Sequence, residues 1–361
     1  MTDEHRLEPT RREGHFSRVI LAYPTGRPGN PYTELLYCAL ARRGWRVDDL
    51  SFEPRALLRS RLPAVLHVHW PEQVAATTNC AKAFARLLLY AVVLTRCRIG
   101  RRPVVWTVHN LHAHDSRYPR VARVAVALTR WAANGVVFMS GTAERQFRDR
   151  YVRAPASITV RHGDLSSGYG PVPDKAAARS RLGIEAEAFL ILAFGRLRAY
   201  KNLGQLLGAF HSIEDEHWRL LVAGKADEGA TRTLERMAEI DKRVLLQLGF
   251  RSSEELGTAI AASDLVCIPF SDVLHSGSSH LAASMGRTVL VPDIGSLAEL
   301  RSEFTKGKVV VYSPPLTSAR LAAAVAESGC ARDRGGLNES QDWMDIAAAH
   351  EDFFADLAGA R

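Results

Sequence analysis

The chain has 361 residues, 47% of them apolar and 24% charged, which is enough for two domains with complete cores and too balanced for a fibrous or disordered polymer. Its net charge of +8 is unevenly divided: residues 1–172 hold 26 Lys and Arg against 13 Asp and Glu, a net of +13, which leaves −5 for residues 173–361. The basic residues are dispersed and no nucleic-acid motif accompanies them, so nucleic acid is not expected as a partner. An anionic membrane surface or a phosphate-bearing acceptor suits a basic first half.

Residues 1–16 are polar and lack the apolar stretch of a signal peptide, which predicts a loose tail. Cys38, Cys80, Cys97, Cys267 and Cys330 form no CxxC pair and lie mostly in apolar segments. That pattern predicts buried free thiols and a cytoplasmic location, at the inner face of the membrane if the first half docks there.

Arg18 to Tyr23 reads as a strand that enters a Gly/Pro-rich loop holding Gly26, Gly29 and Asn30, and a helix follows from Tyr32 to Arg43. A strand, a turn and a helix in that order open a doubly wound sheet, but no GxGxxG is present and no dinucleotide site is expected. Trp45 to Leu50 and Ala64 to Trp70 read as further strands. The latter ends His67-Val68-His69-Trp70-Pro71-Glu72, with both histidines on one face and no third ligand at a zinc spacing. Thr77 to Cys97 reads as a helix whose apolar middle, Leu87 to Thr95, is too short to span a bilayer. A core position is favoured for it over an interfacial one flanked by arginines. The strand Pro103 to His109 leads into a loop holding His112, His114 and Asp115. The strand Gly135 to Ser140 precedes a helix capped by Ser140. Ile158 to Val160 leads to Arg161-His162-Gly163, and Ser166 to Asp174 reads as a linker.

In the second half, strands are expected at Phe189–Phe194, Leu220–Ala223, Val244–Leu248, Leu265–Pro269 and Thr288–Val291, and helices between them predict a second parallel sheet. The first of these strands leaves through Gly195-Arg196-Leu197-Arg198-Ala199-Tyr200-Lys201-Asn202. A strand–loop–helix junction exposes backbone N–H groups and the positive end of a helix dipole, and two cations stand beside it, so a diphosphate suits the place. Ser276 is placed to cap a helix reaching Met285. Gly277 allows close approach there, and Ser278 and Ser279 offer hydroxyls to a phosphate or a ribose. Glu299, at a later helix start, is a further candidate. Ser318 to Val325 reads as a sheet-covering helix, and Gln341 to Leu357 as an amphipathic terminal one.

Gly-Arg-x-x-x-x-Lys-Asn at the head of a second α/β half resembles the donor-diphosphate motif of GT-B glycosyltransferases, in particular the large bacterial polysaccharide and glycolipid family. The similarity runs from about residue 18 to residue 357. It implies two Rossmann-like, doubly wound α/β domains facing across a cleft. A tail at 1–16, an acceptor-binding domain at 17–168, a nucleotide-sugar-binding domain at 169–340 and a helix at 341–361 crossing back to the first domain complete that expectation. It implies that Gly195, Arg196 and Lys201 hold the diphosphate, that Gly224 and Phe250 lie beside the nucleotide, and that His109, in Thr-Val-His-Asn, reaches the transferred sugar. Gly26, Gly29, Asn30, His69 and His162 fall on the acceptor side.

Retaining members of that family usually carry two glutamates with seven residues between them, and aligned on Gly286 those positions are Val273 and Leu281. Asp272 or His275 can stand in for the first glutamate, and Ser279 or His280 for the second. A Ser-Gly-Ser loop at this place resembles a divergent group that includes β-mannosyltransferases of exopolysaccharide assembly, so retention and inversion both stay open. An inverting route needs a base, for which Glu72, Asp115, His109 and Asp164 are the candidates. The expected reaction is transfer of a sugar from a nucleoside-diphosphate sugar to a saccharide, lipid-linked or small-molecule hydroxyl, with no metal or other cofactor. A nucleotide-sugar epimerase and a non-catalytic nucleotide-sugar-binding subunit are the alternatives.

Overall fold

A computed structural model describes residues 18–26, 29–54, 62–111, 116–151, 155–330 and 342–359. The front half alternates β1 (Val19–Tyr23), α1 (Tyr32–Arg42), β2 (Arg46–Asp49), β3 (Val65–Val68), α2 (Cys80–Ile99), β4 (Val104–Thr107), α3 (Pro119–Ala132), β5 (Gly135–Phe138), α4 (Gly141–Arg150) and β6 (Ala156–Thr159). The rear half continues with α5 (Lys175–Leu182), β7 (Phe189–Phe194), α6 (Leu203–His211), β8 (Trp218–Gly224), α7 (Glu228–Ile240), β9 (Val244–Leu248), α8 (Ser253–Ala262), β10 (Leu265–Cys267), α9 (Gly277–Ser284), β11 (Thr288–Pro292), α10 (Leu300–Glu303), β12 (Val309–Tyr312) and α11 (Ser318–Cys330). A last helix, α12, spans Trp343–Gly359.

Two parallel six-stranded sheets result, ordered β2-β1-β3-β4-β5-β6 and β12-β11-β10-β7-β8-β9. Val65–Val68, Val104–Thr107 and Gly135–Phe138 are buried at every position. That is why they are largely apolar, with His67 and Thr107 as the polar exceptions: helices cover both faces of a parallel sheet. In each sheet the strand order reverses once, between β1 and β3 in front and between β7 and β10 behind. Crevices open at the carboxyl ends of strands where the order reverses.

The terminal helix packs on the front half. Its Glu351 pairs with Arg18 at 2.7 Å and Arg43 at 2.6 Å, Phe354 meets the Trp45 ring edge-on at 5.8 Å, and Trp343 Nε1 donates to Asp164 O at 2.7 Å. The linker is tied down as well: Ser166–Tyr169 forms a short 3-10 turn, and a Cβ at Gly168 would come within 2.5 Å of Pro31.

Three observations differ from the sequence reading. Helix α3 and strand β12 are additional elements. Helix α2 starts at Cys80, later than expected, because the Asn79 side chain accepts from Lys82 N at 2.8 Å and caps it there. It buries Leu87, Tyr90, Val93 and Leu94 but also turns Phe84, Leu88 and Val92 outward. Among the described cysteines, Cys97 and Cys267 are buried as expected, whereas Cys38 and Cys80 are exposed, since each lies on the outward side of its helix.

Candidate active site

Between the two sheets lies a cavity of about 630 Å³. Its front wall stands on the ends of β3 and β4. Five buried side chains form a continuous line behind it. Thr107 Oγ1 meets His67 Nε2 at 2.8 Å, and the Tyr37 hydroxyl meets His67 Nδ1 at 3.2 Å and His69 Nε2 at 2.7 Å. His69 Nδ1 then meets His109 Nε2 at 3.0 Å. Burial, and then neighbouring imidazoles, hold His67 and His69 well below the ordinary histidine value, so both are neutral with one N–H and one lone pair each. The Tyr37 hydroxyl donates to one and accepts from the other, so reversing it reverses the whole line. His109 is the member that reaches the cavity, and Trp70 stacks on it with ring centres 4.0 Å apart and planes at 21°.

The rear wall is built where β7 and β10 end. Gly195 leaves β7 at φ 104°, and a Cβ there would stand 2.9 Å from Lys201 Nζ and 3.4 Å from Ser278 Oγ. Gly224, at the end of β8, presses on it so closely that a Cβ would lie 1.9 Å from Gly195 O. Lys201 is 4% exposed, donates to Phe194 O at 2.9 Å and lies 4.7 Å from the Phe270 ring centre. Burial lowers its pKa to about 7. Arg196 is exposed and faces the same cavity. Ser276 caps α9 by accepting from Ser279 N at 3.2 Å, and the first two residues of that helix, Gly277 and Ser278, whose N–H groups have no acceptor within the helix, line the cavity.

The cavity thus gathers His109, Glu72, Asn30 and His162 from the front half with Arg196, Lys201, Asp272, Ser276, Gly277 and Ser278 from the rear half. His162 stacks on His280 across the gap with ring centres 4.4 Å apart. Other expected residues stand elsewhere. His69 and Gly224 support the walls from behind. Ser279 points inward and spends its hydroxyl on Ser276 O at 2.8 Å, because one step along a helix turns a side chain away from its neighbour's face. Phe250 is 73% exposed and outside the cavity lining. Gly26 packs against Glu34 and Gly29 shapes a turn at φ 75°. Glu299 accepts from Gly141 N at 3.1 Å and Thr142 N at 2.8 Å and pairs with Arg145 at 3.1 Å, so it caps α4 of the front half from the rear half. Asp115, with His112 and His114, lies outside the described residues.

Several lining residues are additions to the sequence reading: Trp70, Gln73, Asn110, Arg117 and Tyr200. Val273 lines the cavity with an apolar side chain, whereas Leu281 is buried away from it. Next to Val273, His275 accepts or donates at Nδ1 to Ser296 Oγ at 3.0 Å, and its Nε2 has no hydrogen-bond partner among the described residues. Burial, and then His280, depress its pKa to about 3, so it meets a ligand as a neutral ring. No group of three or more His, Cys, Asp and Glu suited to a metal ion occurs among the described residues.

Comparison with known proteins fits this geometry. Residues 188–328 match the family model described as glycosyl transferases group 1. The chain is 28% identical over 359 residues to a GDP-mannose:glycolipid 4-beta-D-mannosyltransferase of Xanthomonas campestris pv. campestris, covering 97% of this chain and 96% of that protein. Its fold is that of sucrose-phosphate synthase from Thermosynechococcus elongatus, with a TM-score of 0.71, 18% identity, and coverage of 95% of this chain and 100% of that one. It is also that of Anabaena HepE in complex with UDP-glucose, with a TM-score of 0.67, 17% identity and the same coverage. The chain is a glycosyltransferase of the GT-B fold, and residues 188–328 of its rear half match the group 1 glycosyl transferase model.

Proposed function

We propose that this enzyme moves a hexose from a nucleoside-diphosphate sugar to a hydroxyl of a glycolipid acceptor. The observation that carries the reading is the convergence of Arg196, Lys201 and the start of α9 on one wall of a cavity whose opposite wall holds His109 and Glu72. The similarity to a GDP-mannose:glycolipid mannosyltransferase over nearly the whole length supports a mannosyl donor and a lipid-borne acceptor.

In the transfer the acceptor oxygen bonds to the anomeric carbon while the bond from that carbon to the diphosphate oxygen breaks. The leaving diphosphate gains negative charge, which Lys201, Arg196 and the N–H groups of Gly277 and Ser278 are set to receive. The acceptor proton must leave from the opposite side, where Glu72 and His109 stand. Ring stacking on Trp70 and the bond from His69 fix the plane of His109. Fixed cations supply the neutralisation, so transfer is expected to persist in excess EDTA.

The test is transfer from GDP-mannose to lipid extract, run beside melting-temperature shifts with GDP-, UDP- and dTDP-sugars. One nucleotide class should raise the melting temperature. Lys201→Ala and Arg196→Ala should each lower kcat by roughly 100-fold or more, the size of losing a preorganised charge-stabilising group, while the fold persists. Unchanged transfer in both variants would overturn the reading.

A further inference from the structure

A second concavity lies on the outer side of the front half, between the loop Ser51–Pro54 and α2, with a volume of about 520 Å³. Phe52, Pro54, Ala85 and Leu89 give it an apolar lining, and Lys82 and Arg86 line it as well. The groove is braced. Phe52 sits edge-on to Tyr23 with ring centres 5.2 Å apart, and the Arg86 guanidinium covers the Phe52 ring at 4.4 Å while donating to Ala76 O at 3.2 Å. Thr77 and Thr78 line both this groove and the active-site cavity, so the two spaces share a wall. Beyond the groove α2 turns Phe84 and Leu88 outward, at 55% and 53% exposure.

We propose that this groove seats the phosphate and the adjoining hydrocarbon of the lipid-linked acceptor. The hydrocarbon lies on Phe52, Pro54, Ala85 and Leu89, the phosphate meets Lys82 and Arg86, and the sugar passes Thr77 and Thr78 toward His109. The inference rests on the glycolipid reading of the acceptor given above. Three observations single out this occupant. An apolar lining joined, among the described residues, by the two cations Lys82 and Arg86 one helical turn apart matches a molecule that is hydrocarbon with a single anionic joint. The shared threonine wall matches a molecule whose other end reacts. The net charge of +13 on residues 1–172 favours an anionic lipid on this half of the chain.

The probe is farnesyl phosphate, titrated calorimetrically below its aggregation threshold into the full chain, with inorganic phosphate and anionic vesicles as comparison ligands. Wild type should bind farnesyl phosphate at least tenfold more tightly than inorganic phosphate. Ala85→Trp, which fills the groove from an exposed helix position, should weaken farnesyl phosphate tenfold or more and leave inorganic phosphate unaffected. Lys82→Glu should weaken both. Each variant should keep the wild-type melting temperature and its shift with GDP-mannose. Equal affinity for the two phosphates, indifference to Ala85→Trp, or binding to vesicles without binding to monomeric farnesyl phosphate would each overturn the groove as the lipid seat. A wild type that binds farnesyl phosphate but shows no melting shift with any nucleotide-sugar supports the groove and overturns the donor reading instead.

Discussion

Lys201 carries the pH behaviour of the rear wall of the cavity. In the empty folded chain it titrates near pH 7, against an ordinary lysine value of 10.5, because burial penalises its charge. A diphosphate beside it restores the proton, so binding above pH 7 takes up close to one proton and weakens roughly tenfold per pH unit. Titrations of nucleoside diphosphate at pH 8 in two buffers of different ionisation enthalpy should differ by about one proton, and Lys201→Met should abolish the difference. Identical heats in wild type would refute it. The same lysine sets a stability trend of defined sign. Between pH 7 and 10.5 the unfolded chain holds a proton the folded chain has released, so this residue's contribution to stability rises with pH across that window. On the front wall, Tyr37 is the shared partner of His67 and His69. Tyr37→Phe leaves two buried imidazoles short of a hydrogen bond, at a cost of about 1–3 kcal/mol. It should lower kcat with little change in KM for the donor, and a variant with wild-type melting temperature and kcat would show that the line is idle.

Among the elements, the exits of β7 and β8 are coupled through their glycines. A methyl group on Gly224 would collide with Gly195 O, and at φ 139° the backbone also disfavours any side chain. Gly224→Ala should therefore cost roughly 1–3 kcal/mol or more by overpacking and weaken nucleotide binding by displacing Gly195. Unaltered stability together with unaltered binding would contradict the coupling. How much was legible in the sequence follows from the same geometry. Phe189–Phe194 stands where the sequence places it, because a strand buried on both faces writes itself as an uninterrupted apolar run, and the half-buried edge strand Val244–Leu248 stands there too despite Gln247. The Val309-Val310-Val311-Tyr312 run after Gly307 carried the same signal for β12. Helix α3 is less legible, since only a narrow stripe of Ala122, Ala125, Thr129 and Ala132 is buried while Val124 and Trp131 face out. Strand ends locate a site to within a few residues. They do not fix which way each side chain turns, which separates Ser278 from Ser279 and sends Glu299 to α4.

At the scale of the whole molecule, Glu299 is the strut between the halves. Its carboxylate occupies the start of α4, where unsatisfied N–H groups await an anion. Glu299→Ala should cost about 0.5–2 kcal/mol, as the loss of a helix cap does. It should also loosen the juxtaposition of the halves, read as a larger radius of gyration in small-angle scattering and a lower kcat. A variant with the wild-type radius and rate would show that the contact is incidental.

The return of α12 to the front sheet bears on how the protein is made. Trp343 and Ile346 fill the space over Gly163, and Phe353 and Leu357 that over Gly135, where any Cβ would collide with them. A nascent chain that has emerged only as far as Gly163 therefore exposes these surfaces uncovered. Because α12 follows the whole rear half in the chain, synthesis completes the covering of the first lobe only after the second lobe has been made.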